Sequence, residues 1–291
     1  MRRALLLVAG VLLAVGGGLL RTEARPPLGF AYCDLDRLYD TIPSPFYRDA
    51  DYTPDGALRW NTARYERKIA QAAVLIDSMA LPLVALFGVE NEAVVRDLSA
   101  ACTSSYTYLH RTLNRLDGLD FALLYYADCF FPHSVETGNS YLYIEGTVAE
   151  RFGGGDRDAA CDAPPCTLGL LLCRDERMAC LLPELLREEH PGVRLLVMGR
   201  FDPADCRRAG RVEATARAER AGRGNRFRQG GWEMRDRVAA DSTLRIGSCD
   251  VFVREWLLDP ATGQPLPTYR YRTYRGGYGS TLPIFGYIRF P

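Results

Sequence analysis

The sequence lacks net charge, has almost no lysine and contains few histidines. Its 291 residues carry 36 basic and 36 acidic side chains, and Lys68 is the only lysine among the basic ones. Because these charges balance, no overall positive field draws the chain to nucleic acid. The hydrophobic content of 47% is that of a globular protein, and one large α/β domain accommodates this length.

The nine cysteines show no metal-binding spacing. They match no zinc-knuckle pattern, and no histidine lies among the cluster from residue 161 to residue 180. Nine cysteines fit an exported protein with one or two bridges, although the odd number leaves at least one thiol unpaired. Cys161 and Cys166 flank a tight Asp-Ala-Pro-Pro loop that a disulfide would close.

The N-terminus has the pattern of an export signal. Arg2 and Arg3 precede an apolar run over residues 4–20, which is a charged region followed by a hydrophobic one. We expect residues 1–24 to be a removed signal peptide or, alternatively, an uncleaved membrane anchor through residues 4–20. No cysteine follows the run until Cys33, which argues against a lipoprotein. Either way, residues 25–291 are predicted to fold outside the cytoplasm, in the periplasm or the extracellular space.

Hydrophobic periodicity predicts strands that alternate irregularly with helices. The predicted strands are 30–36, 81–87, 106–110, 121–125, 141–148, 168–173, 193–198, 250–257 and 282–290. The predicted helices are 64–79, 91–101 and 181–189. The sequence shows neither an internal repeat nor a linker suited to a domain boundary. This alternation predicts mixed sheets covered by helices in a single domain.

Seven short segments resemble the motifs of one known family. They are CDLDRLYDT at 33–41, DYTPDG with a following Arg-Trp at 51–60, VEN at 89–91, GLDFALLY at 118–125, MGRFD at 198–202, GWEMRD at 231–236 and GGYGSTLP at 276–283. In content and order they resemble the endonuclease/exonuclease/phosphatase superfamily, most closely its exported bacterial branch. Each match alone is weak, but seven in sequence are specific.

The resemblance implies a fold and a chemistry. The implied fold is a DNase-I-like four-layer α/β sandwich, in which two packed mixed β-sheets are flanked by helices. The implied site lies where strand ends and loops of the two sheets converge. There the family uses a divalent metal ion, usually magnesium, to polarise a phosphate, and a histidine paired with an aspartate to activate water.

Most positions that would carry this chemistry have changed. The positions that correspond to the family's motif residues are Asp34, Asp36, Gly88, Asp120, Arg174, Arg200, Asp202, Asp236, Ser280 and Thr281. The family's main metal-binding glutamate is Gly88 here, and glycine offers no ligand. Asp236 remains, but the histidine that it should orient is replaced in the Gly-Ser-Thr segment at 279–281. Losing a general base typically costs ~10²–10⁴ in rate. We therefore predict no catalytic residues, no metal site and no other cofactor.

Two functions remain open from the sequence. The first is a catalytically inactive family member that acts as an exported binding or interaction protein, with a phosphate-containing ligand or an envelope protein as its partner. The alternative is a divergent phosphodiesterase or endonuclease that uses Mg²⁺ or Mn²⁺, with Asp36 and Asp202 as the remaining metal ligands. Nucleic acid is not the expected partner under the first function.

Arginine is predicted to replace the lost metal charge. Arg174 and Arg200 are the candidates for binding a polyanion, and we predict that Arg200 pairs with Asp34 or Asp36. The competing interpretation is that these positions drifted after selection relaxed. His110, His133 and His190 lie outside the motifs, so structural or surface roles are expected for them.

Two further segments are rich in arginine. Eight arginines crowd residues 207–228, which predicts either a polyanion-binding segment or, as we favour, a solvated insert in an arginine-biased protein. Four tyrosines alternate with arginines over residues 269–278. This alternation is typical of base stacking or of a half-exposed strand.

Overall fold

The computed structural model describes residues 26–149, 166–208 and 210–290. Within these residues the helices are α1 Thr62–Met79, α2 Glu92–Ala101, α3 Glu176–Glu189, α4 Pro203–Arg208 and α5 Ala216–Arg220. The strands are β1 Leu28–Leu38, β2 Leu83–Val89, β3 Thr107–Arg111, β4 Asp120–Tyr125, β5 Phe130–Gly138, β6 Tyr141–Val148, β7 Cys166–Cys173, β8 Arg194–Gly199, β9 Val212–Glu213, β10 Arg226–Arg228, β11 Gly231–Glu233, β12 Arg237–Ala240, β13 Arg245–Val251, β14 Tyr269–Arg270, β15 Thr273–Tyr274 and β16 Ile284–Arg289.

Most of these strands form two six-stranded mixed sheets. The first has the order β13-β16-β1-β2-β4-β3, and the second has the order β5-β6-β7-β8-β12-β9. Each sheet has one parallel pair at its centre, β1 with β2 in the first and β7 with β8 in the second. The carboxyl ends of parallel neighbours meet at the same edge of a sheet, so each sheet brings two strand ends together.

The two faces of β7 show how the layers pack. Leu168, Leu170 and Leu172 join the large core cluster that also contains the strands of the first sheet. Leu171 joins a second cluster, in which Leu182 of α3 takes part. Because successive side chains of a strand point to opposite faces, one face of the second sheet packs on the first sheet and the other packs on α3. The predicted α/β sandwich of two mixed sheets with flanking helices is confirmed.

The first two helices lie against the first sheet and begin at asparagine caps. The side chain of Asn61 accepts a hydrogen bond from Arg64 N (3.1 Å) at the start of α1, and that of Asn91 accepts one from Val94 N (3.0 Å) at the start of α2. An asparagine in this position satisfies a backbone N–H that the helix itself leaves unpaired. α1 buries an apolar face that includes Ile76.

Several local predictions differ from the structure. The strand predicted for 250–257 is wrong after residue 251, because β13 ends at Val251 and Glu255–Leu257 forms a 3-10 turn. β5 was not predicted. The alternating Tyr/Arg segment forms a short hairpin of β14 and β15. Residues 1–24 lie outside the described residues, so the export segment stays a prediction. Cys161 lies outside them too, but Cys166 carries a free thiol, so the predicted Cys161–Cys166 bridge is not formed. None of the helices in the described ranges combines the length and apolarity needed to cross a bilayer.

Candidate functional site

The site lies where the parallel strands of the two sheets end. In the second sheet, Cys173 at the end of β7 pairs with Gly199 at the end of β8, so Arg174 and Arg200 leave neighbouring strand ends. The backbone N–H of Arg200 donates to the carbonyl oxygen of Cys173 (2.8 Å). A Cβ at Gly199 would lie 2.0 Å from that same carbonyl oxygen, so only glycine permits this close approach.

In the first sheet, β1 and β2 both bulge as they reach the site. Their pairing shifts register after Asp34, which pairs with Phe87. Asp36, Arg37 and Gly88 all have left-handed backbones, with φ of +54°, +67° and +86°. A residue with a Cβ seldom adopts this region at no cost, so two such residues in succession, next to Gly88, mark a distorted strand end.

Arg174 crosses from the second sheet to the first. Its Nη1 donates to Asp34 Oδ2 (2.8 Å) and lies 3.8 Å from Asp236 Oδ1, and its guanidinium carbon stands 3.8 Å from the centre of the Phe87 ring. The exposed fractions of the Arg174, Asp34 and Asp236 side chains are 12%, 9% and 1%. Burial alone would lower the pKa of Arg174, but Tyr32 and the two carboxylates outweigh it and raise that pKa above its usual range.

Asp236 keeps a buried carboxyl group without the family's histidine. Its Oδ2 accepts from Asn225 Nδ2 (3.0 Å), and the carbonyl of that amide accepts from Arg235 N (2.8 Å). Asp236 Oδ1 has no hydrogen-bond partner among the described residues. Burial, followed by the nearby charge of Asp34, raises the pKa of Asp236, and Arg174 opposes this rise. An amide thus stands beside Asp236, and an amide cannot act as a general base.

Both oxygens of Asp36 accept hydrogen bonds from the protein. Oδ2 accepts from the backbone N–H of Thr268 (3.1 Å) and Oδ1 from Ser280 Oγ (3.3 Å). Lys68 is buried behind this contact and donates to Thr268 Oγ1 (2.7 Å). Burial lowers the pKa of Lys68 to about 8, although Asp36 opposes the shift. Ser280 therefore binds a carboxylate at the position where the family has its catalytic segment.

Gly88 faces the centre of the site, as the motif comparison implies. A Cβ built on it would lie 3.4 Å from Asp34 Oδ1 and 3.7 Å from the backbone nitrogen of Asp36. The position that should carry the metal-binding glutamate therefore points at the two aspartates. It carries no side chain, and its φ of +86° disfavours any residue that has one.

Arg200 and Arg235 present unpaired buried donors. Nε and Nη2 of Arg200 and Nε of Arg235 are buried without a hydrogen-bond partner in the part of the chain that the structure describes. Burial lowers the pKa of Arg200, and the positive charges of Arg174 and Arg235 lower it further. The prediction that Arg200 pairs with Asp34 or Asp36 is wrong: the guanidinium that reaches Asp34 is that of Arg174.

Arg200 and Arg235 line an open cleft of about 510 Å³ next to the Arg174 contact. Its lining residues are Glu176, Arg200, Phe201, Asp202, Pro203, Glu219, Arg226, Arg228, Glu233, Met234, Arg235 and Arg237. Four of these residues neutralise one another, since Arg226 pairs with Glu233 and Arg237 with Glu219. The other charged residues of the lining are Arg200, Arg228 and Arg235 against Glu176 and Asp202, so the cleft has a small excess of positive charge.

The remaining motif positions are bound into local structure. Asp202 is exposed, and its Oδ1 accepts from Ala204 N (2.7 Å) at the start of α4. Asp120 is buried, and its carboxylate contacts His110 Nε2 (3.0 Å). Its other oxygen accepts from the backbone N–H of Leu113 (2.8 Å). Thr281 is buried beside Ser280. Asp120 and Asp202 therefore support the turns that frame the site.

The donor set does not fit the divalent metal ion that the fold family implies. A hard cation of this kind requires several oxygen ligands free to converge on it. Here a guanidinium binds Asp34, protein donors hold both oxygens of Asp36, and Gly88 offers none. Among the described residues, the carboxylates at these strand ends do not form a group close enough together to hold an ion.

Several residues of the site have no signal in the sequence. Arg235 stands next to Asp236 in a recognised motif, but its role depends on the cleft that it lines. Asn225 lies outside every motif, in the arginine-rich segment. The sequence predicts that Phe87 lies in a buried strand, but it does not show that the Phe87 ring lies beneath Arg174.

Known proteins share this architecture. The model of the Endonuclease/Exonuclease/phosphatase family matches residues 29–151. An endonuclease/exonuclease/phosphatase from Bacteroides vulgatus superposes with a TM-score of 0.59 at 12% identity, covering 92% of this chain and 100% of that one. A mannosyl-6-phosphatase from Bacteroides thetaiotaomicron gives a TM-score of 0.53 at 13% identity, with 90% and 100% covered.

A humanized TDP2 from D. rerio gives a TM-score of 0.53 at 10% identity, covering 90% of this chain and 99% of that one. No curated protein matches the sequence. At these identities the solved structures bear on the fold alone. The family model thus matches residues 29–151, and the solved structures share the fold over most of the chain, so the protein is similar to the endonuclease/exonuclease/phosphatase family in that segment and in its fold.

Proposed function

We propose that this protein is a catalytically inactive member of its family that is exported and binds a phosphate-bearing ligand through arginine. The observation that carries the proposal is the contact of Arg174 with Asp34, 2.8 Å long and largely buried. A fixed guanidinium there supplies the positive charge that a divalent ion supplies in the family. A cation that is part of the chain neutralises the carboxylates but offers no position for an activated water.

The loss of hydrolysis follows from two independent changes. Gly88 offers no metal ligand, and Arg174 occupies Asp34. Without a bound metal ion, the Lewis-acid stabilisation of the transferred phosphoryl group is lost. Asp236 is bonded to Asn225 in place of a histidine, which removes the general base. Either loss alone lowers the rate by orders of magnitude, and restoring one does not restore the other.

Binding of a phosphate-bearing ligand rests on the unpaired guanidinium groups. A buried charge without a partner is costly, and a bound anion offsets that cost. Arginine also matches the geometry of phosphate, because its N–H groups form two parallel hydrogen bonds to phosphate oxygens. Arg200 and Arg235 line the cleft of about 510 Å³, which has room for a phosphomonoester, and their unpaired N–H groups are buried in its wall. An envelope protein that carries such a group is the alternative partner.

Titration calorimetry with phenyl phosphate, in buffer that contains EDTA, tests the binding. We expect saturable binding without metal. Arg200→Met and Arg235→Met should each weaken it by about 10–100-fold, the loss typical of one hydrogen bond to a charged group. Arg272→Met is the control, because Arg272 is exposed in a turn away from the cleft lining and should bind phenyl phosphate like the native chain.

Other outcomes would contradict the proposed binding site. Phenyl phosphate binding that needs Mg²⁺ or Mn²⁺, or binding equal in Arg200→Met and the native chain, contradicts a site based on arginine. Metal-dependent hydrolysis that Asp36→Ala abolishes would establish the divergent phosphodiesterase instead.

Export is tested separately from binding. The proposed export rests on Arg2, Arg3 and the apolar run over residues 4–20. Fractionation of cells that express the full chain should place it outside the cytoplasm, and mass spectrometry of the N-terminus separates cleavage near residue 24 from an uncleaved anchor. Recovery of the full-length chain in the cytoplasm would contradict export without touching the binding site.

A further inference from the structure

Two of the three histidines lie in a cluster of carboxylates that is separate from the lining of the cleft. His133 belongs to β5, and His190 terminates α3, its backbone N–H donating to Leu186 O (2.8 Å). Glu145 of β6 pairs across the sheet with Gly169, four residues before the end of β7 that Arg174 follows. Tyr143 of β6 packs in the core cluster beneath α3. The cluster therefore sits on the outer, helix-covered face of the second sheet.

Glu136, Glu189 and His190 bring their ligand atoms together. One nitrogen of His190 and one carboxylate oxygen from each glutamate all lie within 4.8 Å of one another. His190 Nε2 stands 3.2 Å from Glu136 Oε1. Zinc ligands lie about 2.0–2.1 Å from the ion, so two of them at the tetrahedral angle are about 3.3–3.4 Å apart. The measured separation is close to one edge of such a tetrahedron.

Glu145 orients the imidazole of His190. Glu145 Oε2 lies 2.9 Å from His190 Nδ1 and accepts from Tyr143 Oη (3.1 Å). The Tyr143 and His190 rings are 5.4 Å apart. A carboxylate on Nδ1 fixes the tautomer with its proton there, which leaves the lone pair of Nε2 pointing towards Glu136. A carboxylate–histidine contact of this kind recurs behind metal-binding histidines.

We infer that Glu136, Glu189 and His190 form a binding site for a divalent transition-metal ion, with Zn²⁺ as the preferred ion. One imidazole and two carboxylates suit Zn²⁺ better than Mg²⁺ or Ca²⁺, which prefer oxygen ligands alone. The two carboxylates neutralise the dication. Three protein ligands leave a fourth position for water, as in open zinc sites.

Glu145 is a positioning residue in this arrangement, because it acts on the metal through His190. His133 lies near the other oxygen of Glu145, with its Nε2 3.9 Å from Oε1, and its side chain is half exposed. The competing explanation is a network of ion pairs around two protonated histidines, which would bind no metal.

Titration calorimetry of the tag-free full chain with ZnCl₂ tests the inference. We expect one Zn²⁺ per chain at this site. His190→Ala should abolish binding, and Glu189→Gln, a conservative change at an exposed helix end, should weaken it strongly without a risk of misfolding. Glu188→Gln is the matched control, because Glu188 is exposed on the same helix end but lies outside the cluster.

Cobalt substitution separates this site from the cysteines. Co²⁺ bound by one imidazole and carboxylates shows weak d–d absorption without a thiolate charge-transfer band. Glu145→Gln should lower Zn²⁺ affinity by about 10–100-fold and shift the pH midpoint of Co²⁺ binding, which a merely structural role would not do.

Two results would overturn the inference: Zn²⁺ binding that His190→Ala and Glu189→Gln leave unchanged, or a Co²⁺ spectrum dominated by thiolate. Binding of phenyl phosphate by His190→Ala reports on the cleft alone, so the outcome here is independent of the proposed function.

Discussion

The guanidinium of Arg174 bridges the two sheets by donating to Asp34 Oδ2 at 2.8 Å while it covers the Phe87 ring at 3.8 Å. Asp34 and Phe87 belong to the first sheet, whereas Arg174 follows a strand of the second. The contact therefore joins the two halves of the sandwich at the strand ends where the motif resemblance would place a metal ion. The guanidinium of Arg174, a cation that is part of the chain, links the two sheets there.

Replacement of Arg174 should strongly destabilise the fold. Arg174→Met leaves the buried carboxylates of Asp34 and Asp236 without their cation, and breaking a buried pair in this way costs about 3–5 kcal/mol. Urea unfolding measures the loss. The double variant Arg174→Met/Asp34→Asn should recover part of it, because it removes the nearer of the two carboxylates that Arg174 leaves unpaired.

A surface pair provides the control for that experiment. Arg115 donates to Asp117 through a partly exposed contact of 2.9 Å, and such pairs contribute about 1 kcal/mol or less. Arg115→Met should therefore change the free energy of unfolding only slightly. If Arg174→Met behaved like Arg115→Met, the central role of the Arg174 contact would be refuted.

Restoring the lost glutamate should not restore hydrolysis. Gly88→Glu places a side chain on a backbone with φ of +86°, which costs about 1–3 kcal/mol, and adds a third carboxylate beside Asp34 and Asp36. We expect a less stable protein with no gain in phosphodiesterase activity under Mg²⁺ or Mn²⁺. The general base is still missing, and Arg174 still holds Asp34.

Gly88→Ala separates the two causes of that destabilisation. It carries the backbone strain but no charge, so it should be destabilised less than Gly88→Glu. A Gly88→Glu variant that hydrolyses a phosphodiester in a metal-dependent reaction would show that the remaining residues suffice for catalysis.

Glu90 should make the stability of the fold depend on pH. Burial, with the neighbouring carboxylates of Asp40 and Asp49, raises the pKa of Glu90 from 4.5 to about 8, although a backbone hydrogen bond from Asp40 opposes the rise. An acid with a raised pKa keeps a proton in the fold that the unfolded chain has already lost. Its contribution to stability is therefore greatest below pH 4.5 and falls as the pH rises from 4.5 to 8.

Glu90→Gln removes this titration while keeping an oxygen that accepts from Asp40 N, as Glu90 does at 2.6 Å. The gain in melting temperature over the native chain should be larger at pH 8.5 than at pH 5. Glu92→Gln, exposed at the start of α2, is the control and should show no such trend. An equal effect of Glu90→Gln at both values would exclude a raised pKa.

The buried elements of the fold were predictable from the sequence, and the pairing at the site was not. The apolar run over 168–173 predicts β7, and the helical spacing over 64–79 predicts α1, because burial leaves a periodic signature. β5 is not predicted because Pro132 and Gly138 interrupt its alternation of apolar and polar residues. α3 starts earlier than expected because Asp175 caps it, its side chain accepting from Arg177 N (2.8 Å).

At the site, the motifs located the strand ends but not the contacts between them. Arg174 and Arg200 leave adjacent strand ends with the same chemistry, so the sequence offers no means of telling which one reaches Asp34. The structure shows that it is Arg174. Asn225 lies beside Asp236 because the short β10–β11 hairpin brings the two together, and none of the motifs includes Asn225.

The central claim is that arginine has replaced the metal ion and that hydrolysis has been lost with it. The most direct test is turnover of bis(p-nitrophenyl) phosphate by the purified full chain in the presence of Mg²⁺ or Mn²⁺, with Asp36→Ala assayed in parallel. This account predicts that the native chain and Asp36→Ala give the same background rate with either metal. A metal-dependent rate in the native chain that Asp36→Ala abolishes would contradict it.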